Sequence, residues 1–373
     1  MRPVYIAADN IISPLGNTTL ENTEQLKKGV SGIKLHNNAE VSVTPFYASL
    51  FEADAYAANS VYTKFEKLLI ASVKDAIDRC DIDPTDERTI LIISSTKGNI
   101  SLLETEPNRP DLNTRIALHT SAKLIADNFG FKTEPLVVSN ACISGIMAIL
   151  TGLRLIQNGT YDNAVVVGAD VITKFVMSGF QSFQAVSSEP CKPFDAERTG
   201  ITLGEGAATM VLTANEKYSN QIKVLSGAIS NDANHISAPS RTGQELCQAI
   251  LTSIDDVGLI PQDIDLISAH GTATLYNDEM EAKALALAGL SNVPANSLKG
   301  FYGHTLGAAG LIESVITIQS LKENIILPTP GFSNLGVSSA VNITTNMVSS
   351  PLKVALKTAS GFGGCNGAVL LSK

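Results

Sequence analysis

Several signals that would assign a protein to a particular class are missing from this 373-residue sequence. It has no stretch of about 20 uncharged apolar residues, so we expect no membrane span. It has no segment rich in lysine and arginine, and its formal net charge is −9, so we expect no nucleic-acid partner. The N-terminus has too short an apolar run for a signal peptide and shows no cleavage pattern.

The cysteines do not form the pattern of a disulfide framework or a zinc site. There are five, an odd number, and no Cys-x-x-Cys pair occurs. A reduced, cytoplasmic enzyme is therefore the expectation. A Gly-x-Gly-x-x-Gly motif that follows a strand and opens a helix is also missing, which disfavours a dinucleotide-dependent dehydrogenase.

Hydrophobic residues make up 44% of the chain, enough to bury a sizeable core. Short apolar runs alternate with longer amphipathic stretches, and this pattern predicts a mainly parallel sheet covered by helices. We predict strands at 89–95, 135–141, 163–170 and 265–269, and helices at 142–158, 278–289 (with Asn277 as the N-cap) and 305–322. The segment 353–373 predicts two strands joined by a glycine-rich turn.

The two halves of the chain resemble each other at one point. Cys142-Ile-Ser-Gly145 and His304-Thr-Leu-Gly307 each open an apolar helix, with a glycine three residues on. This similarity suggests an internal duplication, and no linker rich in proline or serine separates the halves. We place the boundary near residue 217.

Cys142 lies where a predicted strand ends and a predicted helix begins. A helix N-terminus has unpaired N–H groups and a partial positive charge of about half an elementary unit. We therefore expect the pKa of Cys142 to fall below the free value of about 8.5, and the N–H groups to hold the oxyanion of an acyl carbonyl. The alternative is a buried structural cysteine.

Two histidines lie in glycine-lined turns. His270 follows a predicted strand, where side chains commonly face a crevice at the carboxyl edge of the sheet. His304 begins a predicted helix, whose positive end should keep the imidazole neutral and able to donate a hydrogen bond to an enolate. Each could instead be structural. A metal site of His270, His304 and Asp278 is disfavoured, because no two of these residues have the close spacing of metal ligands.

Five segments, in order along the chain, together resemble one family. They are VSNACISG (138–145), KPFDAERTGITLGEGAA (192–208), AHGTATLYNDEMEA (269–282), SLKGFYGHTLGAAG (297–310) and SGFGGCNGAV (360–369). These segments are similar to the motifs of the β-ketoacyl-acyl-carrier-protein synthases, which are condensing enzymes of the thiolase superfamily. The resemblance runs from about residue 138 to the end, and the first 130 residues match only loosely.

The resemblance implies an α/β fold of the thiolase type, with two similar βαβαβαββ halves in five α-β-α-β-α layers. The half at 1–217 would contain the nucleophilic cysteine, and the half at 218–373 the two histidines. A homodimer is implied, or a heterodimer with a related subunit, that takes malonyl and acyl thioesters from an acyl carrier protein. The carrier would deliver phosphopantetheine, so no bound cofactor and no metal is expected.

The resemblance also assigns roles to the central residues. Cys142 would take the acyl chain as a thioester, and His270 and His304 would promote decarboxylation of the malonyl group. The resulting carbanion would attack the acylated cysteine and give a β-ketoacyl product. Lys299 would hold the histidines in place, paired with Glu281.

The same resemblance assigns roles to residues around this centre. The backbone N–H groups of Cys142 and Phe362 would form the oxyanion hole, and the Phe362 side chain would gate access for the malonyl group. Thr272 and Thr274 would contact the phosphopantetheine arm, and Asp278 would support the site. For Arg198 we favour a bracing role over contact with the carrier.

Two positions depart from the pattern of the family. Lys97 stands in a segment (95–110) that often lines the acyl pocket, where an apolar residue is common, and Ser360 stands where many relatives have phenylalanine. These changes favour specialised polyene, polyketide or other lipid synthesis over housekeeping fatty-acid elongation. Lys64 and Lys67 are candidates for docking the acidic carrier, although a solvated helix face is the simpler reading.

Two other functions stay open within the same superfamily. The chain could be a non-catalytic partner subunit, like a chain-length factor, but such partners generally lack the nucleophilic cysteine. It could also resemble thiolases or chalcone synthases, which act on coenzyme A thioesters. Those enzymes use Cys-His-Cys or Cys-His-Asn sets, whereas this chain offers Cys-His-His.

Overall fold

The computed structural model describes residues 2–59, 61–233 and 237–373. In the N-terminal part, fifteen helices and strands follow one another: β1 (Tyr5–Ile12), α1 (Thr19–Lys27), β2 (Lys34–His36), β3 (Phe46–Ser49), α2 (Lys64–Asp78), β4 (Thr89–Ser94), α3 (Leu102–Thr105), α4 (Leu112–Ile116), α5 (Leu118–Phe129), β5 (Leu136–Val138), α6 (Ser144–Gln157), β6 (Asn163–Asp170), α7 (Lys174–Ser182), β7 (Leu203–Gly204) and β8 (Gly206–Thr213).

The C-terminal part has a similar alternation of strands and helices. Its elements are β9 (Lys223–Asn231), α8 (Gln244–Asp255), β10 (Leu266–Ser268), α9 (Leu275–Leu287), β11 (Pro294–Asn296), α10 (Lys299–Tyr302), α11 (Ala309–Glu323), β12 (Ile325–Ile326), β13 (Asn342–Ile343), β14 (Val348–Ser349), β15 (Val354–Gly361) and β16 (Cys365–Ser372).

The strand order shows a duplication. One sheet has the order β13-β11-β10-β15-β16-β9-β1-β8-β6-β4-β5. In the N-terminal half β1 and β8 are antiparallel, β8 and β6 are antiparallel, and β6, β4 and β5 are parallel. In the C-terminal half β9, β16, β15, β10 and β11 repeat this pattern in the same order. The halves join where Tyr5 of β1 pairs with Lys223 of β9.

Helices lie on both sides of each half-sheet and between the halves. α2 and α5 cover the outer face of the N-terminal strands, and α8 and α9 cover the outer face of the C-terminal strands. α6 and α11 pack between the two half-sheets and contact both. A central cluster of buried aliphatic side chains fills this middle layer, and each fully buried leucine or isoleucine contributes about 1.5–3 kcal/mol. The predicted thiolase-like arrangement of five layers is thereby observed.

The two middle helices cross at a very short distance. A Cβ atom at Gly145 of α6 would lie 2.6 Å from the backbone nitrogen of Leu311. A Cβ atom at Gly310 of α11 would lie 2.9 Å from the backbone nitrogen of Ile146. Glycine is therefore required at both positions, because any side chain would push the helices apart. The crossing brings together the segments that precede α6 and α11, which contain Cys142 and His304.

Some predicted boundaries were wrong for identifiable reasons. The predicted helix at 142–158 begins only at Ser144, so Cys142 precedes it. The helix predicted at 278–289 begins at Leu275, and its N-cap is Thr274, not Asn277. The helix predicted from residue 305 begins at Ala309, because Leu306 has φ +52°, which an α-helix does not allow.

The described part of the chain contains no helix that is both long and apolar enough to cross a membrane. Within the same residues, no group of three or more His, Cys, Asp or Glu side chains could hold a metal ion. All five cysteines are free thiols.

Candidate active site

One cavity of about 330 Å³ opens between the two halves, and most of the predicted site residues lie on its wall. These residues are Cys142, His270, Thr272, Thr274, His304 and Phe362. They come from both halves, so the duplication creates the cavity at its internal junction.

The turn before α6 presents Cys142 to this cavity. Ala141 has φ +44°, a strained value for a residue with a side chain. Two hydrogen bonds stabilise the turn: the Asn140 N–H donates to Ser144 Oγ at 2.8 Å, and the Ser144 hydroxyl donates to the Ala141 carbonyl at 2.7 Å. The strained turn comes before the first residue of α6, so Cys142 lies outside the helix. The turn directs Cys142 towards the C-terminal half.

Cys142 and His304 form a direct contact, with Sγ 3.1 Å from Nε2. Both residues are buried. The backbone N–H of His304 donates to the Thr202 carbonyl at 2.6 Å, which fixes the start of the histidine segment. Among the residues that the structure describes, Nδ1 of His304 has no hydrogen-bond partner.

The electrostatics of the pair differ from what we expected from the sequence. The pKa of the Cys142 thiol is raised to about 12, chiefly by burial; Cys365 and Asp170 also raise it, and Lys299 lowers it. The expectation of a lowered pKa was wrong because the thiol is enclosed and lies two residues ahead of α6. Burial also holds the pKa of His304 well below its ordinary value, and Lys299 and Lys357 lower it further. The resting pair is therefore a neutral thiol beside a neutral imidazole.

His270 stands against His304 with its tautomer fixed. The two ring centroids are 5.3 Å apart and the rings are nearly perpendicular. Lys299 Nζ lies 3.3 Å from His270 Nδ1, and because an ammonium group can only donate, Nδ1 accepts and Nε2 has the proton. Burial, then Lys299, then His304 hold the pKa of His270 well below its ordinary value. His270 is thus a neutral hydrogen-bond donor.

The predicted pairing of Lys299 with Glu281 was wrong. Lys299 Nζ forms its ion pair with Glu313 Oε1 at 2.7 Å. The carboxylate of Glu281 instead accepts the backbone N–H groups of His270 and Gly271, each at 2.8 Å. Glu281 therefore fixes the backbone of the histidine turn, since its oxygens are already occupied by these donors.

Two charged residues of the site were missed from the sequence. Glu313 lies on α11, and Lys357 lies on β15 with its Nζ 2.6 Å from Glu313 Oε2. Both are buried. A signal was available, because each is the single charged residue of an apolar run, LIESVITI and VALKTAS. Charged residues are almost never fully buried unless they are paired.

Asp278 supports the turn that contains the two threonines. Its carboxylate accepts the backbone N–H groups of Thr272 (2.9 Å), Ala273 (3.1 Å) and Phe194 (2.7 Å). The hydroxyl groups of Thr272 and Thr274 are 2.9 Å apart, and both residues line the cavity. These contacts hold two hydroxyl groups in fixed positions on the cavity wall.

Arg198 has the geometry of a brace. It is buried, and its guanidinium group donates to the carbonyl groups of Asp195 (2.8 Å), Gly336 (2.6 Å) and Leu275 (3.2 Å). These contacts tie the segment after Cys191 to the start of α9. The bracing role that we favoured agrees with this geometry.

The turn between β15 and β16 lies directly against Cys142. A Cβ atom at Gly361 would lie 2.9 Å from the backbone nitrogen of Cys142, so only glycine fits. This contact places the backbone of Phe362 next to that of Cys142. The Phe362 ring packs on Phe180 and Phe183, with centroid distances of 5.7 and 5.3 Å, and is partly exposed at the cavity mouth.

The positions that depart from the family pattern have different surroundings. Ser360 lines the cavity, and its hydroxyl donates to Asn366 Oδ1 at 2.7 Å. Lys97 lies outside the cavity lining, and its ammonium group is 3.5 Å from the Thr96 carbonyl. Lys64 forms an ion pair with buried Glu205 at 2.7 Å, and Lys67 donates to the Ala57 carbonyl. Lys64 is therefore held by the fold, which argues against the docking role.

Two known domain families match most of this chain, and known proteins match it over its full length. The family described as "Beta-ketoacyl synthase, N-terminal domain" matches residues 1–217, and "Beta-ketoacyl synthase, C-terminal domain" matches residues 222–333. The 3-oxoacyl-(acyl-carrier-protein) synthase 2 of Vibrio cholerae is 29% identical over 412 aligned positions, covering 100% of this chain and 99% of the relative. A putative mitochondrial 3-oxoacyl-(acyl-carrier-protein) synthase of Schizosaccharomyces pombe is 27% identical, with 100% and 99% coverage.

Solved structures share the fold. A chain from the complex of a ketosynthase with its chain length factor, from Xenorhabdus doucetiae, superimposes with a TM-score of 0.89 at 25% identity, covering 100% of this chain and 98% of that one. A beta-ketoacyl synthase from Burkholderia phymatum has a TM-score of 0.91 at 23% identity and covers both chains completely. The second comparison shows the fold alone.

Proposed function

Because the chain belongs to the beta-ketoacyl synthase family, we propose that Cys142, His270 and His304 divide its reaction among them. The enzyme is a condensing acyltransferase that forms carbon–carbon bonds. One observation supports the assignment of the residues: the Cys142 sulfur lies 3.1 Å from His304 Nε2 in a cavity that His270 also lines.

In the first step Cys142 accepts the acyl group. The sulfur attacks the carbonyl carbon of an acyl thioester on the carrier, and the bond from that carbon to the phosphopantetheine sulfur breaks. The thiol proton passes to the leaving thiolate, with His304 Nε2 close enough to relay it. The backbone N–H groups of Cys142 and Phe362 hold the oxyanion, because the Gly361 contact brings them together.

In the second step the two histidines promote decarboxylation. The malonyl thioester carbonyl binds where both imidazoles can donate hydrogen bonds to it. The bond to the carboxylate carbon breaks, CO2 leaves, and the electron pair forms an enolate whose oxygen the two donors stabilise. Neutral donors suit this step, because an imidazolium would protonate the carbanion. The lowered pKa values of both histidines support this role.

In the third step the carbon–carbon bond forms. The enolate carbon attacks the acyl carbonyl on Cys142, the carbon–sulfur bond breaks, and the released thiolate takes up a proton. The β-ketoacyl group remains on the carrier that delivered the malonyl group.

Substrate delivery needs a carrier with a flexible arm. The relatives named above are synthases of acyl-carrier-protein substrates, and we infer the same carrier for this chain. Phosphopantetheine then comes with the substrate, and the hydroxyl groups of Thr272 and Thr274 on the cavity wall bind the arm. Phe362 gates access for the malonyl group at the cavity mouth.

The assembly that we propose is a homodimer, with a heterodimer of a related subunit as the alternative. β5 ends the large sheet, and Leu136 on it is partly exposed, so a second chain can cover this edge. The neighbour from X. doucetiae is itself a complex with a chain length factor. We further propose that the halves divide as 1–217 and 218–373, and that the five free thiols reflect a reducing cytoplasm.

The function of a non-catalytic partner has less support. Such a subunit needs neither the strained turn at Ala141 nor a cysteine against a histidine, and this chain has both. We therefore assign the catalytic role to this chain.

Separate partial reactions test the assignment. Intact-protein mass spectrometry with a panel of acyl-carriers should show one acyl adduct on the wild type and none on Cys142→Ala. The adduct mass also identifies the accepted chain. Cys142→Ala should still release CO2 from malonyl-carrier, since its histidines remain. His304→Ala should still form the acyl adduct, more slowly because the proton relay is lost, but lose decarboxylation by about 100-fold or more.

Cys247→Ala is the matched control, because Cys247 is also buried but lies on α8 away from the cavity. It should behave like the wild type in both assays. An acyl adduct that persists on Cys142→Ala, or release of CO2 by His304→Ala at the native rate, would contradict the proposal.

A further inference from the structure

Lys357 is a fully buried lysine that the steps above do not use. It lies on β15 with none of its side chain exposed to solvent. Its ammonium group donates to the carbonyl groups of Ser268 (3.0 Å) and Ala269 (3.2 Å). Ser268 is the last residue of β10, and Ala269 links it to His270. Burying an ammonium group costs free energy unless the group is paired and hydrogen-bonded. These contacts therefore fix the position of the Lys357 ammonium group.

Lys357 is connected to His270 by a chain of contacts through two further residues. Its Nζ lies 2.6 Å from Oε2 of Glu313, and Oε1 of the same carboxylate lies 2.7 Å from Lys299 Nζ. Lys299 in turn lies 3.3 Å from His270 Nδ1. One carboxylate thus joins two ammonium groups, and the buried group has a formal net charge of +1.

We propose that Lys357 is a positioning residue of the condensation reaction: it holds one oxygen of Glu313 and the strand end before His270, and it adds a second positive charge behind the two imidazoles. By occupying Oε2, it leaves Oε1 to Lys299, which keeps Lys299 aimed at His270. The catalytic consequence rests on the proposed function.

The charge matters because of where negative charge develops. When the malonyl carboxylate leaves, the electron pair moves onto an enolate oxygen beside the imidazoles. A net positive group behind the histidines stabilises that charge in an enclosed site of low dielectric. It also disfavours imidazolium, and Lys357 contributes directly to the low pKa of both histidines.

Several titratable groups around the two rings enter this balance. They are Cys142 before α6, Glu281 on α9, Lys299 on α10, Glu313 on α11, Lys357 on β15, and each histidine for the other. Of these, Glu281 is held by backbone N–H groups. Lys357 and Glu313 can therefore be changed without removing a group that touches either imidazole ring.

Four variants separate charge from structure. Lys357→Met removes both the charge and the hydrogen bonds, and Lys357→Gln removes the charge but keeps an amide donor. Both leave Glu313 and Lys299 with a net charge of zero. The double variant Lys357→Met with Glu313→Gln restores a net charge of +1 through Lys299 alone, and Glu313→Gln alone raises it to +2. The histidine pKa values are read by NMR titration of the intact protein labelled in its imidazole groups, with His270→Asn and His304→Asn to assign the signals.

We expect the pKa of His270 and His304 to rise by about one unit or more in Lys357→Met and Lys357→Gln, because a nearby positive charge is removed. The double variant should return them to the wild-type range. The acid limb of malonyl decarboxylation should move to higher pH in the single lysine variants and move back in the double variant. A purely structural role would make the double variant no better than the single ones.

Unchanged histidine pKa values in both folded lysine variants would overturn the inference, as would a double variant that stays shifted. The NMR reading needs no substrate, so it stands even if the wild type releases no CO2. In that case the proposed function fails, and the electrostatic role of Lys357 is still decided. If Lys357→Met does not fold, Lys357→Gln provides the same test.

Discussion

Glu66 offers a quantitative test of how the fold supports the site. It lies in the first turn of α2 with none of its side chain exposed. Two N–H groups of Arg115 donate to its carboxylate, each at 2.8 Å, and Asn99 and Ser121 also donate at 2.8 Å. The backbone N–H of Thr63 completes the set at 2.9 Å. The substitution Glu66→Gln removes the charge while keeping nearly the same shape.

The magnitude follows from the pKa of this group. Burial alone would raise it, but Arg115 and the hydrogen-bond donors hold the pKa of Glu66 at about 2, against an ordinary value of 4.5. The difference of about 2.5 units corresponds to about 3 kcal/mol of stability. Because the pKa in the folded state is lowered, this contribution is fully present above about pH 4.5. It is lost as the pH falls through 4.5 towards 2.

Urea denaturation of the wild type and Glu66→Gln, followed by far-UV circular dichroism, measures this contribution. At pH 7 the variant should be less stable by about 3 kcal/mol or somewhat more, since it leaves Arg115 buried and unpaired. The difference should shrink below pH 4.5, where Glu66 gains a proton in the unfolded wild type while the folded protein keeps it ionised down to about pH 2. The control is Glu52→Gln, because the Glu52 side chain is 87% exposed and should change stability by less than about 0.5 kcal/mol.

The result also bears on the site. Asn99, which Glu66 binds, follows the loop whose N–H groups at Thr96 and Lys97 donate to Asp170. Asp170 also accepts the N–H of Gly307 at 2.7 Å, three residues after His304. A difference of less than 1 kcal/mol at pH 7, or one that stays constant from pH 7 to pH 3, would refute the reasoning.

Two further predictions concern the reaction itself. Because the pKa of both histidines is held well below 6.5, malonyl decarboxylation should stay level as the pH falls through 6.5 and decline only well below it; a half-maximal point near pH 6.5 would contradict this. Gly361→Ala should slow self-acylation at least about tenfold, measured by mass spectrometry, because its Cβ would press on the Cys142 nitrogen. Gly179→Ala, where a Cβ meets open space, should acylate normally, and equal rates for the two variants would argue against the oxyanion hole.

The sequence predicted the parts of the structure that depend on local pattern. The run NAVVVGAD gave the bounds of β6, because a continuous apolar run between polar ends matches one buried strand. The last two strands and their glycine turn were likewise observed. The cavity residues Cys142, His270 and His304 were found because each lies in a short motif at the end or start of an element.

The wrong predictions concern two things that the tertiary fold decides: which side chains contact each other, and how far a side chain is shielded from solvent. Glu281 precedes Lys299 and Glu313 follows it, each by fewer than 20 positions. Nothing in the local sequence shows which of the two carboxylates Lys299 binds. The tertiary fold makes the choice: Lys299 pairs with Glu313 on α11, and Glu281 faces the backbone of His270. The prediction of a lowered pKa for Cys142 was wrong for a related reason, since the enclosure of its sulfur depends on both halves of the chain. Ala141 with its positive φ cannot be read from an alanine in the sequence.

The neutral resting site and the buried positive group behind it fit one chemical requirement. A thiolate or an imidazolium held permanently in this cavity would have to be stabilised before substrate arrives, and an imidazolium would then quench the enolate. Instead, Cys142, His270 and His304 are neutral, and the charge of Lys299 and Lys357 is held behind the rings, balanced in part by Glu313. On the proposed mechanism, the net positive charge behind the rings gains a nearby negative charge to stabilise only when the enolate forms. Stabilisation is therefore greatest in the transition state, which is where it accelerates the reaction.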